Sequence, residues 1–176
     1  MGLKESGLRG SLRNVSVGID AIPDDALYFE GDEIEDVTGG WVEGFIEEDP
    51  ILEKQEETLK VEVEDGNEQG SWETDNRINL DDINELAIEW ELTETKDDET
   101  DVEQNFHADP DAGTRGRDEA EIIFNVRREP FDRQEDSIDV SEESGDYHIG
   151  AGNYVVTGDP SSGVSNLLIH AVYARE

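Results

Sequence analysis

The chemistry available to this chain is limited by its residue types. Its three histidines, His107, His148 and His170, stand far apart, and none lies in an HExxH arrangement. There is no GxSxG elbow around any serine, and no phosphate-cradling loop. The glycines of GAGNYVVTG at 150–158 lack the strand-to-helix setting of a dinucleotide site and read as turns between short strands. With no cysteine, thiol catalysis, thiolate metal sites and disulfides are excluded. Carboxylates are abundant, 48 in all, so pairs of them occur everywhere and pairing alone selects no glycosidase-type site. Asp109, Asp111 and Asp118 in one polar loop offer hard oxygen ligands for a structural calcium or other divalent cation. They lack EF-hand spacing, and an ordinary solvated loop is the competing reading. No cofactor is implied. Among 12 aromatic residues, Trp72 and Tyr154 are candidate glycan contacts, because ring stacking against sugars needs aromatics on an exposed sheet face or loop tip.

These residues lie on a succession of short strands. ELAIEWEL at 85–92 alternates most cleanly, with Leu86, Ile88, Trp90 and Leu92 on one face and Glu85, Ala87, Glu89 and Glu91 on the other. Period-two patterning also marks 41–46, the second half of 51–64, the start of 71–80, 102–108 and 119–129. In 119–129, Ala120, Ile122, Phe124 and Val126 point inward. Further strands fall near 137–141, 147–151, 153–157 and 164–174. In the last, Leu167, Ile169, Ala171 and Tyr173 alternate with Leu168, His170 and Val172. The first half of 51–64 fits either a helical turn or a strand. Turn residues separate the segments, as at Asp65, Gly66 and Asn67, and no amphipathic helix of 10–15 residues is present to cover a parallel sheet. The expected fold is all-β: an antiparallel β-sandwich, jelly-roll-like, with an extended N-terminal arm. Residues 1–23 form the arm, 24–40 a linker with a short strand, and 41–176 the sandwich.

Charge separates the arm from the rest. The whole chain carries a net −35, from 13 basic and 48 acidic residues. Within residues 1–19, Lys4, Arg9 and Arg13 face only Glu5, whereas residues 20–176 hold 10 basic and 47 acidic residues, a net of −37. Such self-repulsion strains a compact fold in dilute buffer. It is screened in brine, where the Debye length is about 3 Å at 1 M salt. Acidity spread over the whole body points to a halophilic setting rather than to one acidic binding patch. An acidic chaperone-like or nucleic-acid-mimicking protein is the alternative. Phosphate contacts need basic residues, so free nucleic acid is not an expected partner of the body. No window approaches 18 apolar residues, so no membrane helix is expected, and no apolar signal-type run opens the chain. Leu3, Lys4, Leu8, Arg9, Leu12, Arg13 and Val15 are candidate contacts of the arm with another protein surface. A terminus without a partner is the plain alternative.

Two segments carry a resemblance. GLKESGLRGSLRNVSVG followed by AIPD resembles the N-terminal segment of tail-fibre or appendage proteins of haloarchaeal viruses and proviruses. WETDNRINLDDINELAIEWEL, SIDVSEESGDYHIGAG and LLIHAVYA are similar to β-sandwich modules of phage tail proteins. The matching residues are Ile78, Leu80, Ile83 and Leu86, then Asp139, Val140, Ser141, Ser144, Gly145, Tyr147 and Ile149. The resemblance implies a non-enzymatic virion protein, a tail-fibre, capsid-turret, decoration or baseplate component. It would be anchored by its arm to other virion proteins, assemble as a trimer or ring, and face a host surface glycan or S-layer. The chain lacks a coiled coil or repeat that would make a fibre shaft. A free carbohydrate-binding module is the alternative reading.

Overall fold

The protein was analysed as a computed structural model that describes residues 40–55, 58–64, 68–94, 101–116, 119–127, 130–157 and 164–175. The candidate arm residues Leu3 to Val15, residues 24–39 of the predicted 24–40 linker, and Asp118 lie outside the described residues. Among the described residues the regular structure is all strand. In chain order the elements are β1 (Trp41–Glu47), β2 (Ile51–Lys54), β3 (Leu59–Val63), β4 (Gln69–Thr74) and β5 (Ile78–Asn79). There follow β6 (Glu85–Glu94), β7 (Asp101–Asp109), β8 (Ile122–Arg127), β9 (Phe131–Asp139), β10 (Asp146–Thr157) and β11 (Ser165–Arg175).

The strands build two antiparallel sheets. The larger runs β1-β4-β10-β7-β8, with β5 paired to β10, and the smaller runs β2-β3-β11-β6-β9. Consecutive strands change sheets at every step except β2–β3, β4–β5 and β7–β8. The pair β10 and β11 lies between β4 and β7 in one sheet and between β3 and β6 in the other. That order is a jelly roll, with β1 and β2 added at one edge of each sheet. The predicted fold class is therefore the observed one.

The core forms because strand alternation turns one face of every strand inward. Leu86, Ile88, Trp90 and Leu92 of β6 meet Leu59, Val61, Leu167 and Ile169 on the smaller sheet, and Trp41, Trp72, Phe106, Ile149 and Ala151 on the larger. Burying each large apolar side chain contributes about 1.5–3 kcal/mol. Polar ties also cross between the layers. The Trp72 indole donates to the Lys60 carbonyl at 3.0 Å. The Asn153 amide of β10 donates to the Val61 carbonyl at 3.3 Å and to Ser165 O and Oγ, both at 3.1 Å. Gln104 in turn donates to Asn153 Oδ1 at 3.4 Å.

Several sequence-based boundaries change. The ambiguous 51–64 segment is two strands, β2 and β3. The segments near 147–151 and 153–157 are one strand, β10, since Gly152 continues the ladder opposite Ser71 and Asn105. Strand β9 begins at Phe131, six residues before the predicted start. The alternation read along the last strand is also broken. A bulge at His170 makes Ile169 pair with Trp90 but Ala171 with Glu89. Beyond it, Val172 and Ala174 face the main core, while Ala171 and Tyr173 join Ala87 in a small cluster on the outer side. Val172 therefore shares a face with Leu167 and Ile169, whereas simple alternation groups Ala171 and Tyr173 with them.

Asn153 fastens one layer to the other inside the core. Replacing it by alanine leaves the Val61 and Ser165 carbonyls and Gln104 without this donor or acceptor. The expected loss of stability is about 1–3 kcal/mol, measured by denaturant unfolding in molar salt. A change below about 0.5 kcal/mol would show that the tie is dispensable.

Candidate functional site

The side of the larger sheet turned away from the core is unusual in being polar and buried. Three rungs of paired residues cross it. Glu73 of β4 lies opposite Gly150 of β10, which lies opposite His107 of β7. The next rung is Ser71, Gly152 and Asn105, and the third is Gln69, Tyr154 and Glu103. Apart from the two glycines, every residue of these rungs is polar, and all are buried, Tyr154 to 0% and His107 to 2% exposure. Alternation places them here: Gly70, Trp72 and Thr74 of β4 and Gln104, Phe106 and Ala108 of β7 take the inward positions.

The glycines of β10 create a trough along the middle of this face. A Cβ at Gly152 would stand 2.6 Å from Tyr154 Cε2, so the phenol ring lies directly over that residue. A Cβ at Gly150 would collide with the His107 imidazole. Above the imidazole sits Gly116, where a Cβ would collide with the same ring from the other side. His107 is thus held between a strand glycine and a loop glycine, and its Nδ1 donates to Asn105 Oδ1 at 2.8 Å. The Tyr154 hydroxyl faces Asn105, Ser71 and the backbone of Gly116, and burial raises its pKa.

A roof of residues 110–116, from the β7–β8 connection, covers the trough. Both Glu73 oxygens accept from the Gly113 N–H, at 3.0 and 2.9 Å. Gln69 Oε1 accepts from Arg115 Nε at 2.9 Å and Nη2 at 2.6 Å. Arg115 also reaches Glu47 at 3.5 Å, and its guanidinium lies over the Phe45 ring, 5.6 Å from the centroid. Asp109 organises the base of the roof by accepting from Asp111 N at 2.8 Å, Thr114 Oγ1 at 3.1 Å and Glu121 N at 2.9 Å.

The predicted site residues scatter. Trp72 is a core residue, 4% exposed and bonded across the sandwich, so it offers no ring to a ligand. Strand parity decides this, since the polar neighbours Ser71 and Glu73 take the outer positions. Tyr154 does lie on the outer face, but under the roof. Asp109 accepts from the Asp111 N–H, and no group of three or more metal-ligating side chains occurs among the described residues. Of the trough residues, the sequence marks His107 only as a histidine outside any catalytic motif, and it does not single out Gln69, Glu73, Asn105, Arg115 and Gly116. A signal was present: QGSWET and NFHAD alternate polar with apolar or small residues, and Gly150 and Gly152 are spaced two apart.

Burial sets the protonation of this layer. It lowers the His107 pKa to about 4, against a smaller upward pull from Asp109. It raises the Glu73 carboxyl, opposed by the Gly113 N–H and by His148. In the unfolded chain the imidazole titrates near 6.5 and takes its proton first. Stability from His107 is therefore complete above about pH 6.5 and is lost as pH falls towards 4, by up to about 3 kcal/mol. Glu73 has the opposite sign and contributes most in acid. Denaturant unfolding between pH 4 and 7 should show a smaller acid loss in His107→Gln than in the wild type. Parallel profiles would assign the acid loss to other groups.

No protein-family model matches this chain, and no curated protein matches it. Solved structures are similar to it at low identity. One, described as CBM4, is 13% identical with a TM-score of 0.46, over 80% of this chain and 99% of that one. A carbohydrate-binding module with specific mannan recognition, TmCBM27, is 10% identical with a TM-score of 0.46, over 83% and 95%. The enzymatically active domain of bacteriophage CBA120 tailspike protein 4 is 11% identical with a TM-score of 0.44, over 77% of this chain and 19% of that one.

Proposed function

We propose that this chain is a carbohydrate-binding β-sandwich module that holds a glycan against the outer face of the larger sheet. The observation that carries the reading is the three-rung polar layer above a glycine floor. An ordinary outer sheet face presents its polar groups to water. Here amide, carboxylate, imidazole and phenol groups are gathered over two glycines, Gly150 and Gly152, spaced two apart on one strand. Such groups are the donors and acceptors that orient a hydroxyl-rich ligand in a trough. Phe45 and Arg115 close one rim, with the guanidinium seated over the phenyl ring. The role is binding rather than catalysis, since Glu73 and Asp109 spend their oxygens on backbone N–H groups.

Affinity electrophoresis in molar salt through gels containing β-glucan, mannan or xylan tests this. The wild type should be retarded by at least one polymer. Asn105→Ala and Gln69→Ala should weaken that binding about tenfold or more, since each removes a buried hydrogen-bonding group. Free migration of the wild type in every gel would sink the reading.

A second reading rests on the charge contrast along the chain, +2 over residues 1–19 against −37 over the remainder. An arm of that sign, bearing Leu3, Leu8 and Leu12, suits attachment to an acidic protein surface. Together with the resemblance of that segment to haloarchaeal virus appendage proteins, it supports attachment of the module to other virion proteins. Deleting residues 1–19 should then leave a folded protein that no longer joins the particle. Normal incorporation of the truncated chain would refute the anchoring role.

A further inference from the structure

We infer that residues 110–116 are a lid occupying the sugar's own place on the larger sheet, and that the lid lifts to admit a neutral, hydroxyl-rich glycan. The inference rests on the binding reading above and adds to it both a closed state and a ligand class.

The lid satisfies the face as a sugar would. Its Gly113 N–H fills the Glu73 carboxylate, its Arg115 fills Gln69 Oε1, and the backbone of Gly116 covers the Tyr154 hydroxyl and the His107 ring. Hydroxyl groups can donate to the same carboxylate and amide oxygens and accept from the same phenol. A sugar and the lid therefore compete for one set of partners.

Lifting the lid uncovers the Tyr154 and His107 rings but withdraws no side chain from the hydrophobic core. No side chain of residues 110–116 belongs to the hydrophobic core, and Asp111, Ala112 and Gly113 are already exposed. What is lost on opening is a handful of polar contacts that ligand or water can replace. Asp109 ties the loop to β7 through Asp111 N and Thr114 Oγ1 and holds Glu121 N beyond it, so opening must also release the Thr114 contact. The face left uncovered carries Glu73, Glu103 and Asp109, with His148 beside them, while Arg115, its strongest cation, moves off with the lid. An acidic sugar would meet carboxylates there with little compensation, whereas a neutral one would not.

The test uses Gly116→Ala, whose methyl group cannot coexist with the His107 ring beneath a seated lid. Arg115→Ala provides a second route, removing the Gln69 and Glu47 contacts without altering the face. Dissociation constants are measured in molar salt against neutral β-glucan, mannan and xylan and against polygalacturonate. If the free protein is open about a tenth of the time, propping the lid open tightens neutral-glycan binding about tenfold. Hydrogen exchange of the Gly113 amide in the wild type should accelerate when the neutral polymer is added.

Folded variants that bind a neutral polymer no tighter than the wild type would overturn the lid and leave the binding reading standing. So would a Gly113 amide that stays protected in the complex. Preference for polygalacturonate would overturn the ligand class. Absence of binding in the wild type and both variants would overturn the binding reading and the lid together. Should Gly116→Ala fail to fold, Arg115→Ala and the exchange measurement decide.

Discussion

Every strand of a two-layer sandwich serves two faces at once, and in this chain that constraint falls hardest on β10. Its inward residues Ile149, Ala151 and Asn153 pack and bond within the core. Its outward residues Gly150, Gly152 and Tyr154 are the floor of the trough. Neither set can change register without the other, because a one-residue slip exchanges the two faces. The central position of β10 between β4 and β7 spreads this requirement to both neighbours. Once Gly150 and Gly152 are small, the side chains beside them must fold over the gap, and His107 and Tyr154 do so.

The net charge explains where cations are used. On the outer side of the smaller sheet, Arg133 meets Glu89 at 2.6 Å, and Arg175 meets Glu85 at 2.6 Å and Glu135 at 2.7 Å. These arginines are half-exposed and contribute little each in water, about 0–1 kcal/mol. Their value lies in breaking up a field of like charge on neighbouring strands. On the larger sheet Arg115 does the same for Glu47 while closing the trough. Two opposite faces of one sandwich are thus treated differently, one as a solvated lattice of ion pairs, the other as a buried polar layer.

The architecture was legible because alternation is a direct imprint of sheet geometry. Leu86, Ile88, Trp90 and Leu92 could only be an inward face, and they are. The candidate site was not legible for a related reason. Trp72 attracted a binding role through its chemistry, whereas its parity relative to Ser71 and Glu73 placed it in the core. Glycines 150 and 152 read as turns because glycine usually breaks strands, and only their two-residue spacing hinted at a shared face. The roof was unreadable in principle: the contacts of Arg115 with Gln69 and of Gly113 with Glu73 span 46 and 40 residues, and no local pattern encodes them.

The bulge in β11 carries one more lesson. Up to Ile169 the strand keeps one phase, and after His170 it keeps the other. The two halves of β11 obey opposite rules about which positions tolerate charge. Position 172 must be apolar because 169 is, although they differ in parity, and 173 is open to a polar tip although it shares parity with 169. A substitution pattern collected across relatives of this chain would therefore show a phase inversion at one residue. That inversion would mark the same bulge in any of them, even where too few residues match for the sequences themselves to be aligned.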